Sequence, residues 1–197
     1  MTKYKVVTFF YCFLFFISQA QNDSSLQLSN RGSLKAYEML QIPSVNHANT
    51  DNIIKVAVVD CGFNMNHQAI KNFIYRNPKE INGNNKDDDE NGYIDDIQGW
   101  DIADQDNNVS IPEGRESFFY HGTMIAGAIT QIAQRCFGDN ASKLINIIPV
   151  KAMNNQATKT YMESGYDGIE YAIKSHVDII VCAWSGGKYD KEKYGHL

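Results

Sequence analysis

Nothing in this chain of 197 residues suggests a nucleic-acid partner. It has no basic patch, and 18 lysines and arginines against 23 aspartates and glutamates leave a net charge of −5. No C-x-x-C pair occurs among its four cysteines, so the usual ligand spacing of a zinc site is missing. Internal repeats are absent, which excludes a solenoid or propeller. Nor is the composition that of a disordered chain. With 43% hydrophobic and 21% charged residues it can fill one domain with a proper core.

The most apolar run, "VVTFFYCFLFFI" at residues 6–17, is too short to cross ~30 Å of hydrocarbon comfortably. Lys3 and Lys5 precede it, and "SQA" follows, with Ser18 and Ala20 at the small-residue positions of a cleavage site. The expectation is a signal peptide over residues 1–20, a mature chain starting at Gln21, and a secreted or periplasmic location. No membrane partner is expected after cleavage. Cys12 lies inside the apolar run without a lipid-attachment context. Removal of the segment leaves Cys61, Cys136 and Cys182, an odd count in which at least one thiol is unpaired. Buried free cysteines are the expectation.

Residues 21–33 are polar and read as a flexible leader, followed by a short helix candidate with Leu34, Tyr37 and Leu40 at helical spacing. "IIKVAVVD" (53–60) is a continuous apolar run, as in a buried parallel strand. A polar insert rich in Asp, Asn and Gly spans residues 77–108, with "DIQGWDI" (96–102) as a short strand candidate. A helix headed by His121, a strand at 144–152, a helix at 161–176 and a strand at 178–184 complete the pattern. The alternation predicts an α/β fold, a parallel doubly wound sheet carrying an acidic loop insert.

In such sheets functional groups gather at the carboxyl ends of strands. Asp60 ends the most apolar strand, and Gly62 permits a tight turn just beyond it. Taken alone, Asp60 is better read as a strand-ending cap for the segment that follows. His121 opens "HGTMIAGAI", where Ala126 and Gly127 make a helix face slim enough to pack on a sheet. A histidine on that side needs a hydrogen-bond partner, and a carboxylate at a neighbouring strand end supplies one. A carboxylate that orients imidazole is half of a serine-nucleophile triad. A purely structural pair of His and Asp would leave the same signal.

"VAVVDCGF" and "HGTMIAGAI", in that order, resemble the Asp and His motifs of the subtilisin-like serine peptidases, the subtilases. "IIPVKAM" resembles the strand after the histidine helix, and "GIEYAIKSHVDIIVCAW" the helix and substrate-flanking strand that follow. The resemblance covers residues 34–187 and implies that Asp60 orients His121 and that His121 is the general base. It departs from the family at Cys61, usually Thr or Ser, at Met124, often a second His, and at "VCAWSGG", where Asn-x-Ser, an apolar residue and Gly are typical. That strand normally pairs with substrate backbone. The family's oxyanion Asn and its Gly-Thr-Ser nucleophile motif do not occur in residues 1–197. Ser185 in "AWSGG" is a poor substitute, because a nucleophile elbow needs a helix at once and acid and base partners later in the chain.

Within the insert, "DDDENGYIDDIQ" (87–98) places Asp87, Asp89 and Asn91 at loop positions one, three and five. Gly92 follows at six, the Tyr93 carbonyl at seven and Asp95 at nine. That alternation can turn oxygen ligands around a hard cation such as Ca2+, with Gln98 standing where an EF-hand has its bidentate Glu. A solvated acidic loop is the alternative. The resemblance also extends to an insert of longer subtilases thought to bind calcium. The Asn-x-Ser sequons at Asn22, Asn108 and Asn140 are assigned no role.

Residues 34–197 are therefore expected to be the N-terminal portion of a subtilisin-like peptidase domain, incomplete, ending within an amphipathic helix and inactive alone. Its partners would be a polypeptide substrate or a C-terminal complementing segment. The alternatives are a pseudopeptidase acting as a binding protein, or a calcium-dependent structural module. Strand 178–184 is expected to present an open outer edge where the rest of the sheet would pair.

Overall fold

The computed structural model describes residues 5–7, 53–185 and 189–195. The cleavage site, the leader, the helix candidate at 34–40 and the sequon at Asn22 lie outside the described residues.

The sheet is built on β2 (Ile54–Asp60) and β4 (Ile145–Lys151). They pair in parallel over seven residues, from Ile54 opposite Ile145 to Asp60 opposite Lys151. β3 (Trp100–Asp101) lies on the far side of β4, and β5 (Ile179–Val181) on the other side of β2. β1 (Lys5–Val7) runs along β5. The order is β1-β5-β2-β4-β3, parallel throughout. The edge of β5 that was expected to be open is thus paired. A strand edge presents unsatisfied amides and carbonyls, and this chain's own N-terminal segment meets them.

Alternation along β2 feeds two cores, one on each face. Val56 and Val58 face a cluster with Phe63, Ile147 and Ala126, whereas Ala57 and Val59 face one with Ile148, Val150 and Tyr171. Helices cover both faces, giving the doubly wound α/β layering. Short helices α1 (Glu116–Phe119) and α3 (Ala141–Leu144) flank α2 (His121–Phe137), which lays Ala126, Thr130 and Ala133 on the first face. α2 ends at Gly138, whose positive φ of 55° lets its N–H turn back to the Gln134 carbonyl. α4 (Gly165–Lys174) covers the second face. A Cβ at Gly168 would come within 2.7 Å of Val59 Cγ1, so glycine sets how close this helix lies to the sheet.

α4 is shorter than the expected 161–176. Its first residue passes under the Trp184 ring, where a Cβ would meet the ring at 2.5 Å, and the residues before it form turns. β5 is likewise shorter than 178–184, because the chain leaves the ladder after Val181. Asp190 caps α5 (Lys191–Tyr194) by accepting from the amides of Glu192 and Lys193. Tyr194 stacks on Tyr166 and donates to Asp167, which fastens this segment to the start of α4. Among the described residues no helix is long and apolar enough to cross a membrane.

Candidate active site

The sheet divides at β2: the chain runs from it to β3 and β4 on one side and then crosses back to β5 on the other. Ligands of open α/β sheets bind outside the carboxyl ends of the strands at such a switch point. Asp60 is the last residue of β2 and is fully buried. Its Oδ1 accepts from the Cys61 amide at 2.8 Å, and both carboxylate oxygens lie 2.9 Å from Nδ1 of His121.

Each residue of the His-Gly-Thr run has a separate task. The His121 ring reaches back to Asp60. At Gly122 a Cβ would lie 2.5 Å from the Gly62 carbonyl oxygen and 3.0 Å from Asp60 Cβ, so only glycine lets the start of α2 settle on the turn after β2. Thr123 Oγ1 accepts from the Asn64 amide at 2.8 Å and pins that turn from the other side.

Burial pulls the His121 pKa down, but the hydrogen bond and charge of Asp60 together outweigh it and hold the imidazole above 6.5. The side chain is 23% exposed, and among the described residues Nε2 has no hydrogen-bond partner. The ring is therefore held by one nitrogen while the other is available to take a proton. Cys61 and Cys182 are buried beside the pair, and burial raises both thiols to about 12. They stay protonated and poor as nucleophiles. Cys136 is half-buried, and among the described residues the three form no disulfide.

A cleft of about 920 Å³ opens beside the carboxyl end of β4, lined by Ala103, Ala152, Asn154, Ala157, Tyr161 and Ser164 among others. Neither Asp60 nor His121 lines it. Two groups from outside the loop hold its 154–157 wall. Asp104 accepts from the Asn154 side chain and the Asn155 amide, and Arg115 donates to the carbonyls of Asn155 and Ala157. Trp184, in the stretch that departs most from the family pattern, donates Nε1 to the Val59 carbonyl at 2.8 Å.

The acidic insert forms a second centre. Glu80, Asp87 and Asp89 each bring a carboxylate oxygen within 4.8 Å of the others. Asp89 Oδ1 is buried with no hydrogen-bond partner among the described residues, the kind of orphan oxygen that a cation would satisfy. This donor set fits a hard divalent cation. Of the residues singled out in the sequence, Asp87 and Asp89 belong to the group. Glu80, seven residues upstream of the loop, joins them and was not anticipated. Asp95 is not in the group; its carboxylate accepts from the amides of Gly83, Asn84 and Asn85. The Asn91 side chain bridges the Tyr93 amide and the Asp96 carboxylate. The Tyr93 ring packs edge-on against Tyr171. Asp96 ties the insert to the core by accepting from Tyr171, Asn77 and Asn91, and burial raises its pKa to about 6.

The chain is similar to known proteins over most of its length. Residues 51–195 match the Subtilase family. The chain is 36% identical over 104 residues to Subtilisin-like protease 1 of Plasmodium vivax, covering 50% of this chain and 16% of that protein. To Subtilisin-like protease 1 of Plasmodium berghei (strain Anka) it is 32% identical over 140 residues, 68% of this chain and 22% of that one. To an Intracellular serine protease of Paenibacillus polymyxa it is 28% identical over 158 residues, 77% and 39% respectively. The chain thus spans well under half the length of these relatives.

Proposed function

The chain belongs to the subtilase family, and from that premise we propose that it is the Asp- and His-bearing portion of an exported serine endopeptidase acting on polypeptides. Asp60 fixes the tautomer and direction of the imidazole and stabilises the imidazolium that forms. His121 Nε2 is the general base toward a serine hydroxyl. The serine and the oxyanion-hole Asn come from a C-terminal complementing segment. Without them residues 1–197 are inactive, since loss of the triad serine costs roughly 10⁶ in turnover.

One observation carries this reading: Nδ1 of His121 is fixed at 2.9 Å from both oxygens of a buried carboxylate while the ring remains partly exposed. The test is complementation. The chain is co-expressed with the C-terminal part of a subtilase catalytic domain that carries the Asn and Ser motifs. The complex is then treated with a fluorophosphonate probe, which labels only an activated serine. Labelling that disappears in His121→Ala and Asp60→Asn supports the assignment. A complex that labels equally well in both variants overturns it.

The insert is proposed to bind calcium through Glu80, Asp87 and Asp89, with Asn91, Tyr93 and Asp95 shaping the loop around them. The bound ion would neutralise three carboxylates that otherwise repel one another.

A further inference from the structure

Lys151 is the last residue of β4, opposite Asp60 on β2 and opposite Asp101 on β3. Its side chain is 0% exposed. A buried ammonium is costly unless paired, and an apolar residue of similar length would fill the space at no such cost. Here Nζ donates to Asp101 Oδ2 at 2.5 Å and to Asp104 Oδ2 at 3.1 Å. Asp101 is itself occupied in holding its own turn, accepting from the amides of Ala103 and Asp104.

The same side chain touches both halves of the site. A Cβ on Gly62 would lie 3.4 Å from Phe119 Cδ1 and 3.6 Å from Lys151 Cδ, so these two groups form the floor of the turn that follows Asp60. Nζ stands 5.8 Å from the centroid of Phe119, two residues before His121. The Ala152 amide, next in the chain, donates to the Asp60 carbonyl at 2.8 Å. In the opposite direction Asp104, held by Lys151, carries Asn154 and Asn155 in the cleft wall. Lys151 thus touches both the anchor of the wall and the turn after Asp60. Arg115, which holds the Asn155 and Ala157 carbonyls and packs over Phe119, is a second link between the two.

We propose that Lys151 is a positioning residue that keeps the 154–157 wall of the cleft in register with Asp60 and His121, so that a peptide held along the wall lies at a fixed distance from the base. This rests on the peptidase reading above. It concerns geometry present in the 197-residue chain itself, and is tested there.

Lys151→Met keeps most of the stem and removes the charge. Two signals are read in the full chain by NMR: hydrogen exchange at the Asn155 amide and the titration of the His121 imidazole. The variant should accelerate Asn155 exchange at least tenfold. It should also shift the His121 titration, because the stem that floors the turn after Asp60 is no longer held in place by its ion pairs. Asp104→Asn, which loosens the wall but leaves Lys151 paired with Asp101 beneath the turn, should accelerate Asn155 exchange and shift the His121 titration less than Lys151→Met does. A folded Lys151→Met chain with both signals at wild-type values overturns the proposal. Should that variant not fold, Lys151→Arg must retain the protection of Asn155 and Asp104→Asn must lose it; unchanged protection in Asp104→Asn overturns the proposal equally. A hexapeptide of alternating alanine and serine, matched to the small and hydroxyl-bearing cleft lining, separates the two ideas. If it fails to shift the amides of Ala152 and Ala157 in the wild-type chain while Lys151→Met moves both signals, the peptide reading fails and the positioning role stands. If it binds and Lys151→Met changes nothing, the positioning role alone fails.

Discussion

Gly122 and Gly62 meet backbone to backbone: a side-chain carbon on Gly122 would fall 2.5 Å from the Gly62 carbonyl oxygen. This contact lets the first turn of α2 rest on the turn after β2, and the bond between His121 and Asp60 depends on it. In an exposed helix, Gly to Ala stabilises by about 0.5–1 kcal/mol. Here the sign reverses. Gly122→Ala is expected to lower stability by about 1–3 kcal/mol through overpacking, measured by denaturant unfolding. Unchanged or higher stability would show that the approach is looser than described.

The His121 imidazole is expected to titrate above 6.5. Asp60→Asn should bring the value down, because it removes the partner charge and leaves burial to act. A raised folded pKa means that the pair's contribution to stability is complete below the unfolded value of about 6.5. That contribution is lost as pH rises through the folded value. Histidine resonances followed by NMR from pH 5 to 9 decide the point. A titration at or below 6.5 in the unmodified chain refutes it.

Calcium should raise the melting temperature relative to a chelator control. At a hundredfold excess over Kd, mass action stabilises by about 2.7 kcal/mol. Glu80→Gln and Asp89→Asn should each reduce the increment. Asp95→Ala should lower stability with or without the ion, because its carboxylate holds three backbone amides. No difference between calcium and chelator would mean that the insert is held by its own hydrogen bonds alone.

Processing between Ala20 and Gln21 is expected on export, and an intact Met1 terminus in the mass spectrum of exported protein would refute it. Cleavage there removes β1 and uncovers the edge of β5. Residues 21–197 should therefore exchange the amides around Ile180 faster than the full chain and associate more readily. Equal exchange in both would show that β1 contributes no protection.

Much of this was legible in the sequence because it is local. The apolar run at 53–60 gave β2 within a residue, and the small residues after His121 marked a helix that lies close to a sheet. Other features were not. Lys151 reads as one charge at the end of a strand, and its partners Asp101 and Asp104 are 50 and 47 residues away. Only the sheet register brings them together. Glu80 lies outside the loop whose spacing suggested a cation, and nothing local indicates that the chain turns it inward. β3 has two residues and no periodicity to detect, being defined by its pairing with β4.

The bond from Tyr171 to Asp96 spans 75 residues of sequence. β4 lies between its two ends in the sequence, so the insert cannot reach its final anchor until α4 has docked on the sheet. Closing contacts over such separations slows folding, because chain entropy is lost before the contact returns any energy. The insert should thus be the last region to order during folding and, if its anchors open locally, the first to admit a protease. Early in synthesis, the segment richest in carboxylates would wait in water while the scaffold it attaches to is still being made.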